Sequence, residues 1–198
     1  RESVGSKPRS FRVRACPRDS MIEAIPPHRY SGSMISIVVA DDHGIVREGL
    51  RRILESEPDF KVCGEAEDGR AVLEEVSRSR PDIVVLDITM PRLGGLETLE
   101  RLRTDHADTK VILLSVHTDP PFIQSAIALR ADGYVLKDGR ADEIVTAVRE
   151  VMKGGSYFSP AVAREIIEQV RAPDKESTDP FTLLSARERE VLHLIADG

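Results

Sequence analysis

The sequence has no tryptophan, only 4% aromatic residues and just two cysteines among its 198 positions. A core with so few aromatic rings has to be built mainly from valine, isoleucine, leucine and alanine. The two cysteines, Cys16 and Cys63, do not make a disulfide framework, which is typical of a chain kept in a reducing cytosol. No apolar run approaches the roughly 20 residues that a membrane-spanning helix needs. We therefore expect a cytoplasmic protein with no membrane partner.

Charge is distributed unevenly along the chain. Residues 1–34 carry seven basic and three acidic side chains, a net charge of +4, so the remainder carries −10 to give the total of −6. An acidic body argues against non-specific binding of nucleic acid by the main domain. The basic segment 1–33 lacks apolar periodicity, so we expect a disordered leader, with contact to phosphate or anionic lipid as the alternative. Met34, just before the first predicted strand, is a plausible natural start.

From residue 34 onward, five short runs rich in valine, isoleucine and leucine alternate with helical patterns. Each run is apolar nearly throughout, as in strands that are buried on both faces of a parallel sheet. Between the runs, apolar residues recur at helical spacing, for example Ile123, Ala126 and Ile127. Five such units with right-handed crossovers predict a doubly wound α/β domain with a five-stranded parallel sheet. The runs are ISIVVA (35–40), FKVCGEA (60–66), DIVVLD (82–87), KVILLS (110–115) and GYVLK (133–137).

The α/β pattern occupies residues 34–155 and is followed by a helical extension. Residues 156–182 contain another amphipathic segment and then a polar stretch with two prolines, which predicts a helix and a linker. Residues 183–198 have an apolar face at helical spacing. Ser185 and Glu188 in this last segment form a capping box, so we expect a further helix to begin there.

Polar residues stand at the ends of four of the predicted strands. The carboxyl ends of parallel strands meet at one edge of a sheet, where ligands bind, so we expect these side chains to converge. Taken singly, each has a simpler explanation: an aspartate there usually caps a helix or forms a turn, and a lysine is usually solvated. Their joint occurrence in this order favours a site. The residues are Asp41, Asp42, Asp87, Ser115 and Lys137.

Three carboxylates that lie close together repel one another unless a cation joins them. Mg²⁺ prefers oxygen ligands and typically uses one or two carboxylates together with water and phosphate oxygens. We therefore predict a magnesium site beside Asp87, with Asp87 as the nucleophile that accepts a phosphoryl group. Lys137 would neutralise one phosphoryl oxygen as a compact point charge, and Ser115 would donate a hydrogen bond to another.

The residues around these positions resemble the receiver domain of NarL/FixJ-type response regulators. The resemblance is carried by VVADDHGIVREGLRRIL, VVLDITMPRLGGLETLERLR, VILLSVHTD and ADGYVLKDG. It implies a flavodoxin-like (CheY-like) fold with strand order 2-1-3-4-5 and phosphotransfer from a sensor histidine kinase. One departure is Gly94, at a position where the family commonly has asparagine or aspartate, which we expect to alter the stiffness of its loop.

The resemblance also implies a role for each matching residue. Asp87 matches the phosphoacceptor, Asp42 the direct magnesium ligand and Asp41 its indirect acidic neighbour. The backbone carbonyl of Thr89 matches the group that completes the metal site. Ser115 and Lys137 match the switch hydroxyl and the phosphate-binding lysine. Tyr134 matches the aromatic switch that turns inward when that hydroxyl engages phosphate.

The final segment, LLSAREREVLHLIADG, resembles the start of a LuxR-type helix-turn-helix domain. The recognition helix, which would enter the major groove, is then expected beyond Gly198. We therefore expect a truncated output domain here, and binding to DNA only by a full-length form with a complete helix-turn-helix. An unfinished apolar helix would need a cover, and a homodimer is one possibility.

Together these patterns predict a two-component response regulator rather than an enzyme, with self-phosphorylation and autodephosphorylation as its only reactions. The full-length protein would regulate transcription. One alternative is a stand-alone receiver that controls a protein partner. A Mg²⁺-dependent phosphohydrolase is a third possibility, but it requires an aspartate two residues after the nucleophile, and Thr89 stands at that position.

Overall fold

The structure, a computed structural model, describes residues 34–171, in which strands and helices alternate along the chain. The leader 1–33 and the segment 172–198, including the predicted linker and terminal helix, lie outside the described residues. The strands are β1 (Ile35–Ala40), β2 (Phe60–Ala66), β3 (Ile83–Asp87), β4 (Lys110–Ser115), β5 (Gly133–Leu136) and β6 (Tyr157–Phe158). The helices are α1 (Gly44–Glu55), α2 (Gly69–Ser79), α3 (Gly95–Asp105), α4 (Pro120–Ala128), α5 (Ala141–Met152) and α6 (Pro160–Arg171).

All six strands pair in parallel in the order β2-β1-β3-β4-β5-β6. The predicted order of the first five strands is therefore confirmed. The sixth strand, Tyr157–Phe158, was not predicted, because a run of two residues carries no recognisable period. It pairs with the outer side of β5, where Tyr134 lies opposite Phe158.

The sheet has a separate apolar layer on each face. Alternate strand residues point to opposite faces, so in β3 Val84 and Leu86 join one layer, and Ile83 and Val85 join the other. The first layer is covered by α2, α3, α4 and α6, and the second by α1 and α5. This two-sided burial is the reason why the strands read as continuous apolar runs.

Helices α2 and α4 begin as their sequences indicate. Asp68 caps α2, because its side chain accepts a hydrogen bond from the backbone N–H of Ala71. Two prolines, Pro120 and Pro121, open α4 at positions where a missing backbone N–H costs no hydrogen bond. The predicted apolar stripe of α4 is wrong at Ile127, which is 44% exposed, whereas Ile123 and Ala126 are buried.

The helical extension after the sheet is present as α6. Val162 is fully buried and Ile166 packs against the same layer, so α6 is attached to the domain by its apolar face. Among the helices described between residues 34 and 171, none is long and apolar enough to cross a membrane.

Candidate functional site

The carboxyl edge of the sheet brings the predicted polar residues together. Because β1, β3, β4 and β5 are successive neighbours in the sheet, their carboxyl ends lie side by side. Asp41 directly follows β1, Asp87 ends β3, Ser115 ends β4 and Lys137 directly follows β5. The site is thus placed by strand order, and its members come from distant parts of the sequence.

Lys137 joins two of the carboxylates. Its Nζ lies 2.7 Å from Oδ2 of Asp41 and 2.8 Å from Oδ2 of Asp87. Its backbone N–H also donates a hydrogen bond to the carbonyl of Ser115 at 2.8 Å, which holds the residue after β5 against the end of β4. Although burial acts to lower the pKa of Lys137, its bonds to Asp41 and Asp87 outweigh burial and raise it. The ammonium group is therefore charged at neutral pH and positioned between two acids.

Asp87 is almost completely buried, with 2% of its surface exposed. Burial, with a smaller contribution from nearby Asp41, raises the pKa of its carboxyl group to about 6 against the opposing effect of Lys137. Its Oδ1 accepts a hydrogen bond from the backbone N–H of Thr89 at 3.2 Å. Helix α3 begins so close by that a Cβ on Gly95 would lie 2.1 Å from the carbonyl oxygen of Asp87. Only glycine fits there, so the backbone itself fixes the end of β3.

Asp42 and His43 complete a cluster of possible metal ligands. One ligand atom from each of Asp41, Asp42, His43 and Asp87 lies within 4.8 Å of all the others. His43 Nδ1 is 2.7 Å from Oδ1 of Asp42, and the backbone N–H of His43 donates to Oδ1 of Asp41 at 2.8 Å. Three carboxylates face one lysine here, so negative charge is in excess. A hard divalent cation with oxygen ligands fits this donor set.

Ser115 and Tyr134 form a second group that is joined through His117. The Ser115 hydroxyl accepts a hydrogen bond from the backbone N–H of His117 at 2.9 Å. Tyr134 is fully buried and donates its phenol O–H to the carbonyl of His117, also at 2.9 Å. The ring of His117 stacks on Phe122 of α4, with 4.9 Å between ring centroids. His117 therefore connects Ser115 and Tyr134, which it contacts through its backbone, to helix α4, which it contacts through its ring.

The phenol of Tyr134 is held in its neutral form. Burial raises the pKa of Tyr134 to about 12, and a hydrogen bond from Ser115 opposes this only partly. A neutral phenol remains a hydrogen-bond donor at every physiological pH. Its bond to the carbonyl of His117 is therefore available at neutral pH.

Two residues of this edge were not identified from the sequence. His43 directly follows the Asp41-Asp42 pair, so its place at the same strand end offered a signal. His117 offered none, because it acts through its backbone N–H and carbonyl, which every residue except proline has.

Comparison with known proteins places this geometry in context. The family model of the response regulator receiver domain matches residues 37–149 of this chain. The transcriptional regulatory protein DegU of Brevibacillus brevis is 37% identical over 178 residues, which cover 83% of this chain and 75% of that protein.

Solved structures agree with this match. A two-component response regulator of the LuxR family from Aurantimonas sp. SI85-9A1 superposes with a TM-score of 0.68 at 34% identity, covering 70% of this chain and 99% of that one. A structure of two RcsB dimers bound to two parallel DNAs is 27% identical, with a TM-score of 0.65 over 84% of this chain and 78% of that one.

Proposed function

This chain belongs to the response regulator receiver domain family, and we propose that it is a switch that accepts a phosphoryl group on Asp87. The observation that carries the proposal is the position of Asp87, a buried carboxylate that lies 2.8 Å from a lysine Nζ and is surrounded by two further acids. A buried cation beside an acid is suited to neutralise the charge that a phosphoryl group brings.

In the proposed reaction, an oxygen of the Asp87 carboxylate attacks the phosphorus of a phosphohistidine on a sensor histidine kinase. A P–O bond forms and the P–N bond breaks, and the departing imidazole nitrogen keeps the electron pair. Lys137 is placed to bind a phosphoryl oxygen, because its ammonium group already contacts Asp87. The N–H of Thr89 holds the other carboxylate oxygen and so orients the attacking one.

The proposal includes a magnesium ion held by the carboxylates of Asp42 and Asp87 and the backbone carbonyl of Thr89, with Asp41 acting indirectly. When bound, the ion would offset the charge of the incoming phosphoryl group and of the acids. Oδ2 of Asp41 and Oδ2 of Asp87 are buried and contact Lys137 without a further hydrogen-bond donor among the described residues, which fits a site that receives a cation.

Ser115 and Tyr134 are proposed to report the phosphorylated state. The hydroxyl of Ser115 accepts from His117, so it can turn its own hydrogen away from Tyr134 and toward a phosphoryl oxygen. Such a turn would end its bond to Tyr134 and alter the loop that leads into α4. Because His117 also stacks on Phe122, the change would reach the surface of that helix.

The output of the switch is proposed to be transcription. DegU is named a transcriptional regulatory protein, and the RcsB dimers of the compared structure are bound to DNA. We extend these properties to this protein. We propose that a LuxR-type DNA-binding domain begins near residue 183 and that the protein forms a homodimer. We also propose a cytoplasmic location, where a kinase partner would reach Asp87.

Incubation of the chain with Mg²⁺ and acetyl phosphate, followed by intact-mass measurement, tests the proposal. We expect a gain of one phosphoryl group in the native chain and in Asp108→Asn, a variant of an exposed aspartate far from the site. We expect no gain in Asp87→Asn or when magnesium is chelated. A native chain that stays unmodified, or an equal gain in Asp87→Asn, would refute phosphorylation at Asp87.

A further inference from the structure

The loop after β3 contains an arginine in an unusual backbone conformation. Arg92 has a φ of 64°, in the left-handed region that glycine and asparagine favour and that other residues seldom adopt. It lies five residues after Asp87 and three after Thr89. A residue held in this conformation requires surrounding contacts that outweigh its strain.

The side chain of Arg92 supplies such contacts across the loop. Its guanidinium group forms a hydrogen-bonded ion pair with Asp68, at the corner between β2 and α2, and Nη2 lies 3.0 Å from Oε1 of Glu67. Asp68 is buried, and its other oxygen caps α2 through Ala71. The backbone hydrogen bond from Ala71 and the bond to Arg92 both lower the pKa of Asp68, so it stays charged and paired.

The same corner is joined to the loop by its backbone. The N–H of Gly69 donates to the carbonyl of Leu93 at 3.0 Å, and a Cβ on Gly69 would clash with that carbonyl. The side chain of Leu93 is buried. The corner between β2 and α2 is therefore held against the loop after Thr89 by the ion pair of Arg92 as well as by this backbone hydrogen bond.

The start of α3 lacks the side-chain cap that would otherwise stiffen this loop. Gly94 is the residue before α3, and it has no side chain to accept a hydrogen bond from the first turn of the helix. Asparagine or aspartate at this position commonly provides that bond. A loop without this cap depends more strongly on its other anchors, and the ion pair between Arg92 and buried Asp68 is one of them.

We propose that Arg92 is a positioning residue for phosphorylation, because its ion pair with buried Asp68 holds the loop that follows Asp87 and carries Thr89 in the geometry that binds magnesium. The inference rests on the proposed function of Asp87 and adds a residue outside the strand-end site. In this proposal Arg92 acts through the backbone of residues 89–91.

Two substitutions separate the ion pair from the backbone strain. Arg92→Ala removes the ion pair and keeps a Cβ at positive φ, whereas Arg92→Gly removes the ion pair and relieves the strain. Arg80→Gly is the matched control, because Arg80 also has a positive φ, 45°, but lies at the end of α2. Gly94→Asn combined with Arg92→Ala tests rescue, since asparagine would supply the missing cap without adding charge.

Four measurements apply to each variant of the full chain. Calorimetric titration with magnesium ion alone measures binding, and the magnesium concentration for half-maximal phosphorylation by acetyl phosphate measures its use. Amide hydrogen exchange over residues 88–95, in metal-free protein, measures how firmly the loop is held. Thermal unfolding of each variant shows whether it is folded at the assay temperature.

We expect both Arg92 variants to weaken magnesium binding by about three- to tenfold, because residues that orient metal ligands have effects of this order or larger. The maximal phosphorylation rate should change less, exchange over 88–95 should accelerate, and Gly94→Asn should restore much of the loss. Arg80→Gly should leave all three readouts unchanged.

Native magnesium affinity and exchange in Arg92→Ala would overturn the inference. Tighter binding in Arg92→Gly than in the native chain would also overturn it, since strain rather than the ion pair would then control the loop. A native chain that binds magnesium but takes no phosphoryl group would refute the proposed function alone, because binding and exchange would still report on Arg92.

Discussion

Acids at the two edges of the central sheet have different numbers of cationic partners. At the amino edge, Asp132 is paired with two cations: Arg103 at 2.6 Å and Lys110 at 3.1 Å. It also accepts the backbone N–H of Val111 at 2.9 Å. At the carboxyl edge, Lys137 pairs with both Asp41 and Asp87, and Asp42 and His43 lie close to these two acids. Asp132 therefore has two cationic partners, whereas Asp41 and Asp87 share one.

This difference indicates that the acid at the amino edge contributes to stability, whereas the acids at the carboxyl edge are suited to bind a ligand. A partly buried acid with complete partners contributes to folding, whereas uncompensated buried charges raise the free energy of the folded state. We propose that a cationic ligand relieves the excess of negative charge among Asp41, Asp42 and Asp87 at the carboxyl edge. Burial is the main reason why the pKa of Asp87 is raised, and the negative charge of Asp41 adds to the effect.

The largest change in stability is expected from removing the carboxylate of Asp132 at the amino edge. Asp132→Asn leaves Arg103 and Lys110 without their carboxylate, so we expect the free energy of unfolding to fall by about 2 to 3 kcal/mol. Urea unfolding at pH 7 measures this loss. Asp108→Asn, an exposed aspartate near the same edge, should change stability by less than about 0.5 kcal/mol. Equal stability of the Asp132 variant and the native chain would remove the contrast between the edges.

At the carboxyl edge, removing an acid is expected to raise the free energy of unfolding. Asp87→Asn should stabilise the metal-free protein by about 2 kcal/mol at pH 8, because it removes a buried carboxylate whose ionisation opposes folding. The folded-state pKa of Asp87, about 6, exceeds its ordinary value of 3.8. The stability that native Asp87 provides is therefore complete below about pH 4 and is lost as pH rises through 6.

Unfolding curves of Asp87→Asn and the native chain in the presence of a chelator, at several values between pH 4 and 8, measure this effect. The advantage of the variant should be small at pH 4 and grow until about pH 7. An advantage that is constant with pH would show that the carboxylate is not strained by burial.

A smaller effect is expected from relieving the excess charge with a cation. Magnesium at about ten times its Kd should raise the free energy of unfolding by about 1.4 kcal/mol, because it binds the folded state alone. Thermal unfolding with and without magnesium measures the shift. Asp42→Asn should abolish it, and Asp132→Asn should preserve it, since Asp132 lies at the opposite edge. A shift that persists in Asp42→Asn would indicate binding elsewhere.

Much of the fold could be predicted from the sequence because the strands are buried on both faces. Continuous apolar runs such as KVILLS and helical stripes in between are strong local signals, and the resemblance supplied the strand order that the structure confirms. The exposure of Ile127 and the short strand β6 escaped prediction. Both depend on how α4 and the segment before α6 pack, which is not a property of the local pattern.

The candidate site was partly visible in the sequence for a related reason. Strand ends converge in a parallel sheet, so Asp41, Asp87 and Lys137 could be grouped before any coordinates were known. Their roles in binding and phosphotransfer remain predictions that the experiments above test. The contact of Arg92 with Asp68 was not foreseen, because 24 residues separate them and neither belongs to the strand-end pattern.

The sequence by itself determined which residue types stand at the ends of the strands and which faces of the helices are apolar. Those features follow from periodicity and from side-chain chemistry, both of which are local. Only the tertiary structure decided that Lys137 would share its charge between Asp41 and Asp87, and that His117 would bind Ser115 and Tyr134 through its backbone. These contacts join segments far apart in the chain, and backbone groups carry no residue identity, so packing alone selects them.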